Sequence, residues 1–356
     1  MLGITPKQKQ ILDYIELYYK ENKFAPTLEE IAKKFHRSVP TIHQYVKVLV
    51  DKGRLQRTAQ GARGILPVVQ NPHSKIHPFR IGIIGYGFVG QAVAYGFSNH
   101  EIHIYDKYKE YETLPAVVEN SDYIFVCLPT PIKEDESGID LTIMNDNIKD
   151  LAKLTKNSDK ILIIKSTVIP GTTAGYMKKY PRSLFCFNPE FLREASFLQD
   201  FVNPDRVVVG ATNDQVSRRV SALYQAVLPL APIFQTDPTT AEMVKYMANC
   251  FLATKVIFGN EMFEICEKIG VRYEEVKKMV VADKRILDGH LDVSTLRGFG
   301  GKCFPKDLLA LRAMAKSKGV ETKILDAVWA KNLKIRKVRD WNEIPFAVSP
   351  QFGNKV

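Results

Sequence analysis

Residues 298–307, GFGGKCFPKD, bring together what a covalent reaction at sulfur asks for. Cys303 supplies a nucleophile, Gly298, Gly300 and Gly301 open a close approach path for a substrate, and Lys302 and Lys306 place cations that favour the ionised thiol. A glycine turn that caps a helix over a buried cysteine has the same letters, because free cysteine is among the most buried residue types, so this stretch alone leaves both readings open. A second glycine cluster points to different chemistry. The run FRIGIIGYGFVGQAVAYGF sets an apolar strand directly before Gly85-x-Gly87-x-x-Gly90 and a helix after it, and EIHIYD ends on Asp106, 21 positions beyond Gly85. In that setting the loop Gly85, Tyr86, Gly87, Phe88, Val89, Gly90 would carry the pyrophosphate of a dinucleotide. Its first two glycines allow the turn and the backbone approach, Gly90 lets the helix pack closely, and Asp106 accepts ribose hydroxyls. An acid at that place favours NAD over NADP.

These groups need a scaffold, and the chain supplies its elements in a clear order. After the Asp106 strand come YIFVCLP at 123–129, KILIIKST at 160–167 and RVVVG at 206–210, each apolar and separated by stretches of helix length. A parallel, doubly wound sheet of Rossmann type accounts for them, and the segments leaving the carboxyl ends of its strands, with Thr130, Pro131, Ser166 and Thr167, would line the cofactor crevice. From about residue 237 the pattern turns to long helices, with Met243, Met247, Phe251, Ala253, Val256 and Phe258 on a broad apolar stripe. The expected organisation is a Rossmann domain over 79–236, a helical domain over 237–340 and a short tail over 341–356.

Composition bounds the rest. With 356 residues, 45% hydrophobic and 25% charged, the chain is an ordinary globular protein of two or three domains. It has no run of about 18 apolar residues, and no apolar h-region follows MLGITPKQKQ, so neither a membrane span nor a secretory signal is indicated and the cytoplasm is the expected home. The five cysteines stand far apart without a C-x-x-C pair, which suits free thiols better than zinc or disulfides. Cys127, Cys186, Cys250 and Cys266 sit in apolar runs and are assigned to packing, and the seven histidines show no ligand spacing, so no metal is expected. The net charge of +11 is uneven: residues 1–75 hold thirteen Lys or Arg against six Asp or Glu. A positive module on a nearly neutral body suits a polyanionic partner, although a solvated lysine-rich surface has the same composition.

That basic module reads as helix, helix, helix and hairpin. Ile11, Leu12, Ile15, Tyr18 and Tyr19 recur at helical spacing, Thr27 and Glu30 form a T-x-x-E capping box, and Ser38 caps a third helix whose first turn tolerates Pro40. Ile42, Tyr45, Val46 and Leu49 line one face of that helix; Thr41, His43, Gln44 and Lys47 make the other, the composition of a helix that enters the major groove. Gly53 ends it, and RLQRTAQGARGILP reads as a wing from which Arg57 and Arg63 would reach phosphate. A winged helix used only for protein contact has the same pattern. Residues 4–66 resemble the DNA-binding domain of LexA-type repressors on the segment APTLEEIAKKFHRSVPTIHQYVKVLVDKGRLQR and the RGI after the wing, which implies double-stranded DNA as a partner. Nothing like the self-cleaving protease domain of those repressors follows. Residues 68–78, VVQNPHSKIHP, read instead as a linker.

Beyond the linker, NPEFLREASFLQDFVNPDRVVVG, AEMVKYMANCFLATKVIFGNE and GFGGKCFPKD occur in that order after the Rossmann segment. Together they resemble the nucleoside-diphosphate-sugar dehydrogenases, the UDP-glucose 6-dehydrogenase and GDP-mannose dehydrogenase family, over roughly residues 79–340. The resemblance implies oxidation of a primary alcohol of a nucleotide sugar to a carboxylate by two NAD, through a thiohemiacetal and a thioester on Cys303. It implies that Lys245 and Asn249, four apart on one helix face, stabilise the oxyanion. Glu190 would act in proton transfer with a water near Thr167, and Asp307 would orient the hydrolytic water. Phe191, Leu192, Arg193 and Glu194 would border the substrate, Glu194 the cofactor as well, together with Lys306 and the loop Gly298, Phe299, Gly300. Arg285 matches an arginine that reaches a neighbouring subunit's substrate.

The sequence departs from that family in two places. Members carry a third domain, an α/β unit that holds much of the substrate's nucleotide, whereas only WNEIPFAVSPQFGNKV follows Asp340 here, and KYKEYETLPAVVENSD after Asp106 is shorter than usual. A regulator that senses NAD(H) or a nucleotide sugar, built from a shortened dehydrogenase, is therefore the competing expectation, since a winged helix ahead of a Rossmann domain also describes redox-sensing repressors. Met243, Met247, Phe251 and Phe258 exceed what one helix buries in its own domain, which leads to the expectation of a homodimer carrying two winged helices.

Overall fold

The computed structural model describes residues 5–22, 24–51, 54–57, 64–67 and 78–349. The chain divides into two compact units, Met1–His77 and Pro78–Val356. In the first, α1 (Pro6–Asn22), α2 (Leu28–Phe35) and α3 (Val39–Asp51) precede a hairpin of β1 (Leu55–Arg57) and β2 (Ile65–Pro67). Reciprocal bonds open α2: Glu30 N–H donates to Thr27 Oγ1 at 3.2 Å, and Thr27 N–H to Glu30 Oε2 at 2.8 Å. Ile15, Ile31, Ile42, Val46, Leu49 and Leu55 close a single core, with the strands antiparallel from Leu55↔Pro67 to Arg57↔Ile65. This is a winged helix-turn-helix. The Gly53 end of α3 and the hairpin tip with Arg63 lie outside the described residues.

The second unit begins with β3 (Arg80–Ile84), α4 (Phe88–Gly96), β4 (Glu101–Tyr105), α5 (Leu114–Glu119) and β5 (Tyr123–Val126). It continues through α6 (Thr142–Leu154), β6 (Ile161–Ile164), α7 (Thr172–Lys179), β7 (Leu184–Phe187), α8 (Phe197–Val202), β8 (Val207–Gly210), α9 (Asp214–Val227) and β9 (Ile233–Thr236). The strands form one sheet in the order β4-β3-β5-β6-β7-β8-β9. Both faces are covered, so alternate residues feed two cores: Ile81, Phe125 and Ile163 pack on one side, Ile84, Ile124 and Leu162 on the other. The sheet departs from the all-parallel expectation at one place. β7 meets β8 antiparallel at Phe187↔Gly210, because residues 188–206 return to the sheet from the end at which β7 leaves it. Two strands, β7 and β9, were not legible in the sequence; LFCF and IFQT are four residues each, too short to show a period.

The helical part follows as α10 (Pro238–Ile269), α11 (Tyr273–Val280), α12 (Phe304–Ser317) and α13 (Lys323–Ile335). Asp237 caps α10 by accepting from Thr240 N–H at 3.0 Å, Pro238 fits its first turn, and Gly270 ends it at φ 77°. Tyr246, Ala253, Phe299, Leu308 and Trp329 make a third core between α10, α12 and α13. Ile132 and Ile139, from the loop after β5, belong to the same core, which fixes the helices over the carboxyl ends of the strands. Among the described residues no helix is long and apolar enough to cross a membrane.

Candidate active site

The nucleotide loop leaves β3 and enters α4. Gly85 has φ +92°, and a Cβ there would lie 2.7 Å from the Cys127 carbonyl oxygen; a Cβ on Gly90 would lie 2.2 Å from the Gly85 oxygen. Neither position tolerates a side chain without moving backbone. Gly87 differs, because nothing of the protein comes within 4 Å of a Cβ built on it, so the space above the head of α4 is open to a ligand. Asp106 stands beside the loop, its Oδ2 accepting from Tyr86 N–H at 2.8 Å and its Oδ1 from Tyr108 N–H at 3.0 Å. These features fit a dinucleotide: a helix amino end for the pyrophosphate and a fixed acid for the ribose. Thr130 Oγ1 donates to the Thr167 carbonyl at 2.8 Å and Ser166 Oγ to the Leu128 carbonyl at 2.7 Å, which ties the loops after β5 and β6 into one wall, with Pro131 buried beside them.

Cys303 is the last residue before α12. Three segments converge on it. From α10, Lys245 Nζ donates to Glu190 Oε1 and to the Glu190 carbonyl, both at 2.8 Å, and Asn249 Nδ2 donates to Asp307 Oδ2 at 2.5 Å. From α12, Lys306 Nζ donates to Asp307 Oδ1 at 2.5 Å. Glu190 Oε2 takes Leu192 N–H at 2.7 Å. Glu190, Lys245, Asn249, Lys306 and Asp307 are all buried, so each charge faces an opposite one with little water to weaken the attraction.

The protonation of the cluster follows from that packing. Burial would raise the Glu190 carboxyl, but the Lys245 ammonium, the Leu192 N–H and Lys165 outweigh it and hold Glu190 below the usual carboxylate range. Burial would lower Lys245, and Glu190, Asp307 and Cys303 hold it above its ordinary value instead. Cys303 corrects the expectation that nearby cations ionise it. Burial pushes the thiol up to about 11; Lys245 and Lys306 work against this, while Glu190 and Asp307 reinforce it. The packing therefore favours the protonated thiol at rest.

The model of the UDP-glucose/GDP-mannose dehydrogenase family, NAD binding domain, matches residues 105–228, and that of the central domain matches residues 239–334. The chain belongs to the UDP-glucose/GDP-mannose dehydrogenase family. The UDP-glucose 6-dehydrogenase of Rickettsia felis is 39% identical over 220 residues, 60% of this chain and 48% of that protein. The UDP-glucose 6-dehydrogenase TuaD of Bacillus subtilis is 36% identical over 230 residues, 63% and 49% respectively. The solved UDP-glucose dehydrogenase of Pyrobaculum islandicum superposes with a TM-score of 0.66 at 29% identity, over 73% of this chain and 69% of its own. The chain thus spans about half the length of the curated relatives it matches. The LexA DNA binding domain model matches residues 1–64.

Within this dehydrogenase fold some expected residues stand apart from the cluster. Arg193 is exposed and held by Asp200, at 2.6 Å from Nη2 to Oδ1, and Glu194 opens an exposed 3-10 turn. Phe191 stays close, its ring 5.6 Å from Lys245 Nζ. Arg285 is on the surface, its guanidinium paired with Asp283 at 2.6 Å. On α3 of the first unit, Ser38 Oγ takes Thr41 N–H at 3.4 Å, and Ser38, His43, Gln44 and Lys47 are exposed with Thr41 half-buried. Arg57 lies on β1, with its side chain outside the described residues.

Sequence reasoning missed the residues that hold the site in shape. Glu242 is buried on α10 and accepts Gly171 N–H at 2.5 Å and Thr173 N–H at 2.8 Å, which clamps the loop after β6 to the helix bearing Lys245. Its spacing was a usable signal, since 242, 245 and 249 share one helix face. Lys165 lies buried under Glu190 and donates to Asn188 Oδ1 at 2.7 Å; burial lowers it to about 8. The glycine loop before Cys303 is held by side chains: Asn260 Oδ1 takes Gly298 N–H at 3.2 Å, Asn332 Oδ1 takes Phe299 N–H at 2.8 Å, and Asp340 Oδ2 takes Gly301 N–H at 3.0 Å.

Proposed function

We propose that the chain is an NAD-dependent nucleotide-sugar 6-dehydrogenase of the UDP-glucose to UDP-glucuronate type, with an appended DNA-binding module. The observation that carries this is the meeting of Cys303 with Glu190, Lys245, Asn249, Lys306 and Asp307, drawn from three separate segments, at the mouth of a dinucleotide crevice. NAD, when bound, supplies a hydride acceptor for each of two oxidations. In the first, the sugar's primary alcohol loses its hydroxyl proton toward Glu190 through a water near Thr167, leaving an aldehyde. Cys303 Sγ then bonds to the aldehyde carbon while its proton passes to the former carbonyl oxygen, giving a thiohemiacetal. Lys245 spends two of its three N–H donors on Glu190, and Asn249 one of two on Asp307, so each keeps a donor for that oxygen as charge develops. After the second oxidation a thioester remains. A water oriented by Asp307 adds to its carbonyl, the carbon–sulfur bond breaks, Cys303 regains a proton and the carboxylate leaves.

The test is NADH absorbance after mixing the protein with NAD and UDP-glucose, UDP-N-acetylmannosamine or GDP-mannose. Two NADH per UDP-glucose is the expected result, and Cys303→Ser should stop the second oxidation because an alcohol forms no equally labile acyl intermediate. Unchanged stoichiometry in that variant overturns the role of Cys303.

The LexA match and the polar face of α3 favour a second reading, a regulator that responds to NAD(H) or a nucleotide sugar. No NADH from any of the three sugars, with a gel shift that changes when NADH is added, decides for it. A homodimer belongs to either reading. Met247, Phe251 and Phe258 are 68%, 63% and 58% exposed along α10, an apolar row that a second copy would cover, and two winged helices on one particle would bind paired half-sites with affinity that falls steeply with salt. A light-scattering mass near 40.3 kDa would count against it.

A further inference from the structure

The segment after α13 lies beyond the residues matched to the family's central domain, which end at 334, and it does not run off into solvent. It begins tied to the catalytic loop. Arg336 is buried and donates through Nη2 to Asp340 Oδ1 at 3.0 Å, Asp340 holds Gly301 N–H, and Trp341 is buried with its ring 5.7 Å from that of Trp329. It then crosses to the sheet. Ile132 N–H donates to the Ala347 carbonyl at 3.0 Å, Ser349 N–H to the Ile132 carbonyl at 2.8 Å, and Ser349 Oγ to Asp140 Oδ2 at 2.8 Å. Between these anchors Phe346 has φ +61°, a conformation a side-chain-bearing residue adopts only when its surroundings hold it there, and its ring lies 6.1 Å from that of Tyr108.

The sheet order says what this path crosses. Tyr108 is in the loop leaving β4 and Ile132 in the loop leaving β5, and these strands flank β3 on opposite sides. Neighbouring strands are about 4.8 Å apart, so the two loops are lips roughly 10 Å apart, with the Gly85–Gly90 loop between them. Residues 346–349 touch both lips. The aromatic pair stands at the ribose end, because Tyr108 N–H donates to Asp106 Oδ1. Tyr108 is 71% and Phe346 39% exposed, so the first ring is largely open and the second partly so.

We propose that residues 344–349 form an outer wall of the dinucleotide site and that Phe346, with Tyr108, holds the adenine of the cofactor. A flat heteroaromatic base beside the ribose suits two open aromatic faces, tilted 38° to each other, on which it can stack. The inference rests on the dinucleotide reading above and deepens it. It makes the segment part of the binding site, joined by Asp340 and Gly301 to the loop that precedes Cys303.

The experiment is a fluorescence titration of NADH into the full chain, with ADP-ribose as a competitor, for the unaltered protein and for Phe346→Ala, Phe346→Leu, Phe346→Tyr and Asp106→Ala. Phe346→Ala and Phe346→Leu should each weaken both ligands about tenfold, and Phe346→Tyr should restore them, since the aromatic face rather than the bulk is used. The unfolding midpoint should stay within about 2 °C, and the leucine variant answers the question should alanine disturb the fold. Unchanged affinity in the alanine and leucine variants, while Asp106→Ala abolishes binding, overturns the wall and leaves the dinucleotide reading intact. Tighter binding in those variants also overturns it, and shows an obstructing strap. No NADH binding by the unaltered chain overturns the dinucleotide reading and the wall with it.

Discussion

Two glycine loops each lead into a helix in this chain, residues 85–90 into α4 and residues 298–301 into α12, and they are shaped in opposite ways. The first is held by backbone and by side chains close by in the sequence: Asp106 takes Tyr86 N–H, and Lys109 Nζ donates to the Tyr86 carbonyl at 2.7 Å. Gly85 N–H donates to the Tyr105 carbonyl at 2.9 Å, and the walls that forbid a Cβ at Gly85 and Gly90 are the carbonyl oxygens of Cys127 and Gly85. The second is held by side chains from far along the chain: Asn260 on α10, Asn332 and Arg336 at the end of α13, and Asp340 beyond it. A loop of the first kind announces itself in its own letters. A loop of the second kind does not, and its geometry can be lost through residues that never touch a substrate.

The largest difference to be measured concerns reactivity. Only the second loop ends on a nucleophile, and burial holds the Cys303 thiol at about 11. Below that value the thiolate fraction rises tenfold per pH unit, so alkylation by iodoacetamide should quicken about 100-fold between pH 8 and pH 10. Cys303→Ser should remove most of this labelling, since Cys186, Cys250 and Cys266 are buried and desolvation pushes Cys127, Cys186 and Cys250 up to about 12. A rate already flat from pH 7 means that the cations have ionised the thiol at rest and that the loop is a stronger electrostatic device than its burial implies.

The next effect tests the borrowed support directly. Asn332 is fully buried, takes Phe299 N–H at 2.8 Å and donates to the Phe299 carbonyl at 3.1 Å. Asn332→Ala leaves both groups unpaired in the interior, at about 1–3 kcal/mol each, so a loss of about 3 kcal/mol in urea unfolding is expected. The displaced loop should also lower turnover by about 100-fold. NADH affinity, which depends on the other loop, should change less than about twofold. A stability loss under about 1 kcal/mol would mean that the loop holds itself and that the contrast between the two is weaker than drawn.

The same contrast explains which parts of the molecule could be read from the sequence. The strand, glycines, helix and acid of the nucleotide site follow one another within 30 residues, and the capping box and apolar spacing of the winged helix are equally local. Cys303 was marked out by its own neighbours, the glycines with Lys302 and Lys306, whereas Lys245, Asn249, Glu190 and Asp307 were found through a resemblance; spacing alone put only Lys245 with Asn249. Asn260, Asn332 and Asp340 left no trace, because an amide or acid on a helix surface and one that carries a loop look alike until the fold brings them together. β7 escaped for a related reason. Its four residues, LFCF, are stabilised by β6 alongside and by the cores on either face, and so carry too little pattern of their own.

The smallest effect separates the two loops most finely, because it applies one substitution to both. In Gly90→Ala the new Cβ would lie 2.2 Å from the Gly85 oxygen, an atom of the loop that cannot move without carrying the pyrophosphate site with it. A loss of about 2 kcal/mol in stability and at least about tenfold in NADH affinity is expected. In Gly300→Ala the Cβ meets Asp340 Oδ1 at 2.2 Å and Arg336 Nη2 at 2.3 Å, just as close on paper. Those are ends of side chains rather than backbone, but Arg336 is buried and bonded to Asp340, so they yield less readily than free side chains would. Gly300 also lies outside the left-handed region, so alanine adopts its backbone without strain and gains about 0.4–1 kcal/mol by narrowing the unfolded ensemble. The gain offsets part of the cost of moving Asp340 and Arg336, and a net loss of about 1 kcal/mol, about half that of Gly90→Ala, is expected in urea unfolding, with NADH affinity unaltered. Equal losses in the two variants would show that Asp340 and Arg336 are as immovable as backbone, and that the second loop, despite its distant supports, is held as rigidly as the first.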